Sequence, residues 1–269
     1  MPDTLIREQR DGAVVTLTFN HPERLNAMTQ EMGEAFARRI AELARDESLR
    51  AVVLTGEGRA FSAGGDLGMI RGHAETGRSE PGIARRAIRD TMRSFYKLFL
   101  SLRDLPCPSV AAINGPAIGA GLCVALACDL RFAAEKARMG VNFTKLGLHP
   151  GMAATWTLPR LVGPALAAEL LYTSRLISGR EAAEFGLVNR ALPAERVLET
   201  AQEVAAEIAA CAPLAVRGVK RALDRSHGAS LEDQLSFEAS EQAACFESED
   251  VHEGIAAVSE KRDPRFTGR

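Results

Sequence analysis

Two glycine-rich stretches hold the residues best placed to do chemistry through their backbone. Phe61-Ser62-Ala63-Gly64-Gly65-Asp66 and Asn114-Gly115-Pro116-Ala117-Ile118-Gly119-Ala120-Gly121 each follow a short apolar run. Small residues permit unusual backbone angles and let a ligand come close to main-chain N–H groups. The second stretch runs straight into an apolar helical segment. Its leading amides would therefore point, with the helix dipole, at an oxygen carrying partial negative charge. Two loops giving one N–H each would form an oxyanion hole. Taken alone, a glycine-rich turn is more often a plain chain reversal. Other chemistries find no support: there is no G-x-G-x-x-G with a following ribose-binding acid, no GxxxxGK[ST], no HExxH and no G-x-S-x-G.

The elements that position these loops are legible in outline. Val14–Phe19 alternates and is β-branched, which reads as a strand, and Glu31–Asp46 carries Met32, Phe36, Ile40 and Leu43 at helical spacing with Thr29 as N-cap. Ala51–Thr55 and Ser109–Ile113 read as fully buried strands, and Asp129–Ala133 as a further one. Ile83–Leu105 reads as a long helix stopped by Pro106 and Pro108. Arg71–Pro81, polar with scattered glycines, reads as a mobile loop. Beyond Pro193 the chain turns Ala/Glu-rich and helical. The expected organisation is a mixed core over 1–195 and a helical region over 196–269 that packs on the core or on a neighbouring chain.

Composition narrows the partners. With 33 basic and 35 acidic residues the net charge is −2, so no global field favours nucleic acid or an anionic membrane. Five cysteines without a CxxC pair point to reduced thiols rather than a zinc ribbon, and no metal is expected. The first residues lack the apolar stretch of a secretory leader, and no run of 18 apolar residues occurs, so the expected location is cytoplasmic.

These segments, in order, resemble the enoyl-CoA hydratase/isomerase (crotonase) superfamily. The likeness runs from Asn20-His21-Pro22-Glu23-Arg24-Leu25-Asn26-Ala27-Met28 through both loops, Ala127-Cys128-Asp129-Leu130-Arg131 and Leu146-Gly147-Leu148-His149-Pro150-Gly151. It closes with Ser178-Gly179-Arg180-Glu181-Ala182 and Glu260-Lys261-Arg262. The resemblance implies an α/β fold, the ClpP/crotonase-like β-β-α spiral, with a helical C-terminal region that builds homotrimers or hexamers. It implies a coenzyme A thioester as ligand, with no separate cofactor. Gly65 and Ala120 would supply the two N–H groups for the thioester carbonyl. Arg24, Leu25 and Ala27 would line the nucleotide and pantetheine path, facing Ala63, Asp66 and Leu67. Lys261 falls where the family can place a base near the nucleotide, of this or another subunit, although a solvated lysine on a terminal helix is an equal reading.

The chain departs from the family where hydratases hold water between two glutamates: those positions fall on Cys123 and Phe143. Phenylalanine has no acid/base chemistry. Cysteine would need a thiol pKa lowered by a helix N-terminus, the other reading being a small core residue. Double-bond isomerases commonly use the carboxylate that Phe143 replaces. Dienoyl isomerases and aryl-CoA dehalogenases use an aspartate where this chain has Gly151. No Asp or Glu occurs between Arg138 and Leu158. His149 is the candidate replacement, since histidine titrates in the useful range. His73 and Glu75 belong to the mobile loop expected over the acyl group, with a plain solvated loop as the other reading; Asp66 reads as a backbone-ordering residue, Tyr96 as a pocket-lining or core tyrosine, and Trp156 as facing the acyl pocket or packing on a neighbour. Decarboxylation, isomerisation, atypical hydration and a non-catalytic acyl-CoA binder all remain open at this level.

Overall fold

Strand β1 (Ile6–Asp11) and β2 (Val14–Phe19) form an antiparallel hairpin, turned by Gly12 at φ 54° in the computed structural model, which describes residues 4–269. From β2 onward every pairing in the main sheet is parallel. The order is β1-β2-β3-β4-β6-β8, with β3 at Ala51–Gly56, β4 at Ser109–Ile113, β6 at Leu130–Ala134 and β8 at Arg190–Leu192. The β2, β3 and β4 residues are buried throughout, as strands covered on both faces must be. Their uninterrupted apolar runs have that cause.

A second, smaller ladder runs beside this sheet. β5 (Ala117–Ile118) pairs with β7 (Met139–Gly140), and single bridges join Met28 to Gly65, Ser62 to Ala117 and Met139 to Ile177. Each turn of chain thus contributes to the main sheet and then to the small ladder before a helix carries it onward. That is the spiral the sequence led us to expect.

Helix α1 (Gln30–Leu43) buries Met32, Phe36, Ile40 and Leu43, and the Thr29 hydroxyl accepts from the Met32 N–H at 3.2 Å. Helix α2 (Leu67–Ser79) replaces the mobile loop expected over 71–81. Asp66 caps it by accepting from the Met69 N–H at 2.9 Å, and Leu67, Ile70 and Ala74 recur at helical spacing. Gly72 and Gly77 hid this pattern; they weaken a helix without forbidding it. Helix α3 (Ile83–Leu100) is anchored by Phe95 and Phe99, which meet edge to face at 5.2 Å, with Phe99 meeting Phe19 and Phe36 at 6.3 and 6.1 Å. Helix α4 (Ala120–Ala127) follows the second glycine-rich loop and is buried along its length.

Then come α5 (Ala154–Val162), α6 (Pro164–Thr173), α7 (Gly179–Glu184), α8 (Val197–Ala209), α9 (Pro213–Ser226), α10 (Leu231–Phe246) and α11 (Glu249–Glu260). Helix α8 buries Val197, Thr200, Ala201 and Ala205 against β2, β3, β4 and β6. It completes the core, so the outward-facing helices begin with α9 rather than at residue 196. Helix α10 buries none of its residues and leaves Leu231 and Leu235 exposed. Among the described residues no helix is long and apolar enough to cross a membrane.

Candidate active site

The two glycine-rich loops are tied to each other by their own backbone. The Ser62 N–H donates to Pro116 O at 3.1 Å, and the Ile118 N–H donates back to Ser62 O at 3.0 Å. The Ala63 N–H reaches Leu25 O at 2.9 Å, and the Gly119 N–H reaches Gly140 O at 2.7 Å. Ser62 is a fully buried pivot whose hydroxyl donates to Asn26 O and accepts from the Gly64 N–H. Gly64 adopts φ 93° and a side chain there would run into Ile118 O, so glycine is required on both counts. The same absent Cβ would lie 3.5 Å from the Ala120 nitrogen, which shows how closely the loops approach.

Among the described residues, neither the Gly65 N–H nor the Ala120 N–H donates to another backbone group. Ala120 is the first residue of α4, where intrahelical acceptors are missing by geometry. Gly65 is flanked by N–H groups already engaged: Asp66 donates to Met28 O, and the Gly64 N–H to Ser62 Oγ. Both unpaired donors line a cavity of about 800 Å3 enclosed by the loops, α2, α3 and the segment 142–152.

The entrance is polar and the interior is not. Arg24 and Asp66 form an ion pair at the mouth, so Asp66 both caps α2 and holds a guanidinium. Leu25 and Asn26 adopt successive left-handed conformations. The buried Asn26 amide stabilises that bend by donating to Glu57 O and Ala60 O at 3.0 and 2.8 Å. Leu25, Ala27, Ala63 and Leu67 line the cavity together with these residues. Deeper in, α2 contributes Met69 and Ile70, and α3 contributes Ile88, Met92 and Phe95. Sequence reading missed this lining because both helices carry apolar residues towards more than one neighbour. Among the described residues the only carboxylates on the wall are Glu23 and Asp66, and both have cationic or imidazole partners.

At the positions of the two glutamates the chemistry is apolar. Cys123 is buried, its Sγ lies 3.9 Å from Gly151 O, and burial pushes its thiol up to about 12. The low-pKa alternative for Cys123 is therefore overturned: desolvation outweighs the helix terminus. Phe143 lines the cavity beside Gly119, its Cζ 3.9 Å from where a Cβ on that glycine would stand. A side chain at Gly151 would have to displace Tyr96, since a Cβ would meet its Cζ at 2.6 Å, with the hydroxyl nearer still. Tyr96 is thus a wall residue of the cavity rather than a core tyrosine.

His149 lines the exposed side of the cavity, and its Nδ1 lies 2.8 Å from Pro150 O. An Nδ1–H donated to that carbonyl leaves Nε2 as the free acceptor. His73 faces the cavity from α2, whereas Glu75 does not. Lys261 occupies the left-handed cap of α11 and does not line the cavity of its own chain. Trp156 lies elsewhere, covered by the Arg160 guanidinium at 4.1 Å and flanked by Arg103 at 5.2 Å.

Comparison with known proteins agrees with this architecture. The enoyl-CoA hydratase/isomerase family pattern matches residues 9–269. The chain is 35% identical to 1,2-epoxyphenylacetyl-CoA isomerase of Escherichia coli, over 96% of this chain and 97% of that protein. It is 34% identical to short-chain-enoyl-CoA hydratase of Clostridium acetobutylicum, over 94% of each. The crystal structure of enoyl-CoA hydratase from Bacillus anthracis superposes with a TM-score of 0.87 at 34% identity, covering 98% of this chain and 100% of that one. A match that spans the hairpin, both loops and the terminal helices alike places the chain in the enoyl-CoA hydratase/isomerase family.

Proposed function

We infer that the protein is an acyl-CoA thioester enzyme that works through an enolate held on the Gly65 and Ala120 N–H groups, without a carboxylate base. The carrying observation is the contrast within one cavity: two unpaired backbone donors, and no Asp or Glu beyond the ion-paired mouth. Coenzyme A is then part of the substrate and no separate cofactor is invoked. Arg24, Leu25, Ala27, Ala63, Asp66 and Leu67 line the route for its nucleotide and pantetheine arm.

Loss of carbon dioxide from a malonyl-type thioester suits such a site best, because it makes an enolate with no proton removed. The C–C bond to the carboxylate breaks, its electron pair becomes the enolate, carbon dioxide leaves, and the α-carbon takes a proton from water. The two N–H groups stabilise the oxygen on which charge develops, a kind of contact worth about 2.7–4 kcal/mol per donor. His149 favours a second reading, isomerisation by proton transfer, because its free Nε2 borders the cavity. A homotrimer or hexamer is supported by the exposed apolar residues of α9–α11; Lys261 would then serve a neighbouring subunit's nucleotide.

Mass spectrometry of a coenzyme A thioester panel (malonyl, methylmalonyl, enoyl, 3-hydroxyacyl and aryl) tests this. Loss of carbon dioxide supports the first reading. Isomers separated chromatographically at constant mass support the second, and a gain of water points to atypical hydration. Tight binding without conversion of any thioester makes the protein a binder that kept the pocket and lost the reaction.

A further inference from the structure

We propose that the Tyr96 hydroxyl is the specificity-determining donor of the acyl pocket, selecting thioesters that carry an oxygen acceptor on C3, the carbon two beyond the thioester carbonyl. Malonyl, 3-oxoacyl and 3-hydroxyacyl groups share that feature and saturated acyl groups lack it. The assignment rests on the proposed seating of the thioester carbonyl between Gly65 and Ala120.

Three observations converge on this hydroxyl. It occupies the space a side chain at Gly151 would take, so the wall presents a phenol hydroxyl at this point. Among the described residues it has no hydrogen-bond partner, and the cavity it lines also presents Met92, Phe95, Phe143 and Met152. The half-buried hydroxyl has no protein partner to give up, so it is free to exchange water for a ligand oxygen. Its depth is also right. Tyr96 and Cys123 both meet Gly151, and Cys123 lies one helical turn beyond Ala120 on the same side of α4. An acyl chain whose carbonyl oxygen sits at Ala120 therefore passes Tyr96 with the next carbons.

The hydroxyl acts as a donor rather than a base. Burial, with Cys123 adding to it, raises the phenol above its ordinary range and keeps the proton in place. A carboxylate at either glutamate position would accept hydrogen bonds; a phenol that stays protonated gives one. That inversion changes which acyl groups the pocket prefers, even though the fold is unchanged.

Calorimetric binding of acetoacetyl-CoA and butyryl-CoA, which differ at C3, tests the assignment on the intact protein. The wild type is expected to bind acetoacetyl-CoA about tenfold more tightly than butyryl-CoA. Tyr96→Phe keeps the ring and should bring the ratio to about one while leaving butyryl-CoA affinity within twofold of wild type. A ratio unchanged by Tyr96→Phe, or no preference in the wild type, overturns the assignment. Ala120→Pro separates the underlying reading: it should weaken both ligands alike, and unaltered affinity for both rejects the carbonyl seat itself. A merely structural role for Tyr96 would lower both affinities together and leave the ratio in place.

Discussion

The loop wall and the acyl wall of the cavity are built on different principles. Gly65 and Ala120 present backbone groups whose positions are set by Ser62, Gly64, Ile118 and Gly140, hydrogen-bonded across the two sheets. The acyl wall presents side chains: Phe143 and Tyr96, with Tyr96 filling the space beside Gly151 and Cys123 buried against that glycine's carbonyl. One substitution erases a carboxylate, whereas no ordinary substitution erases an amide. A chain can therefore change its reaction while its thioester site stays in place.

The largest test of this contrast removes a backbone donor. Ala120→Pro should lower turnover on the true substrate by about 10²–10³, read as kcat from product formation. Proline is tolerated at the first position of a helix, so the fold should survive. Full activity in this variant would show that the loop wall does no chemistry. Next in size is Gly151→Ala, which drives a methyl into Tyr96. Overpacking of this kind costs about 1–3 kcal/mol, measured by denaturant unfolding. The loss should shrink in the Tyr96→Phe background, because the hydroxyl is the nearest atom, and an additive double mutant would place the strain elsewhere.

The buried thiols of the core should reveal themselves at high pH. Cys107, Cys123 and Cys128 are buried, and burial pushes their thiols up from 9.0 to about 11, 12 and 12. Above pH 9 the unfolded chain loses protons that the folded chain retains. Stability from these groups is thus complete below about pH 9 and is lost as pH rises towards 11–12. The slope approaches ~1.4 kcal/mol per pH unit for each thiol. Cys123→Ala should flatten the alkaline limb of the unfolding curve, and an unchanged limb would contradict the burial of this thiol. The smallest effect is at the mouth: Asp66→Ala removes the cap of α2 and should cost about 1 kcal/mol. Amide exchange should rise in α2 and not in α4.

How much of this could be read in advance follows the same division. Thr29, Met32, Phe36 and Ile40 announce α1 through cap and period, and the unbroken apolar runs at 51–55 and 109–113 announce covered strands. The loops showed in their glycines, and Phe143 and Cys123 stood out through family likeness. Helix α2 was hidden because its glycines and polar residues outnumber the spaced Leu67, Ile70 and Ala74. Tyr96 was ambiguous for a different reason. Phe95 beside it turns to the core cluster as well as to the cavity, and only the packing of α3 against α4 brings position 96 to position 151.

The small ladder has one consequence for how the site comes into being. Met28 joins Gly65, Ser62 joins Ala117, Ala117 joins Met139, and Met139 joins Ile177. Each of these partners lies on a different winding of the chain, so the pair of donors cannot assemble from any one of them. During synthesis the nascent chain has no working pocket until residues well past 140 have emerged, and partial unfolding of a later winding dismantles a site whose own residues lie far earlier. Fragments that keep both glycine loops but end before that point should bind no thioester, however well their first strands form.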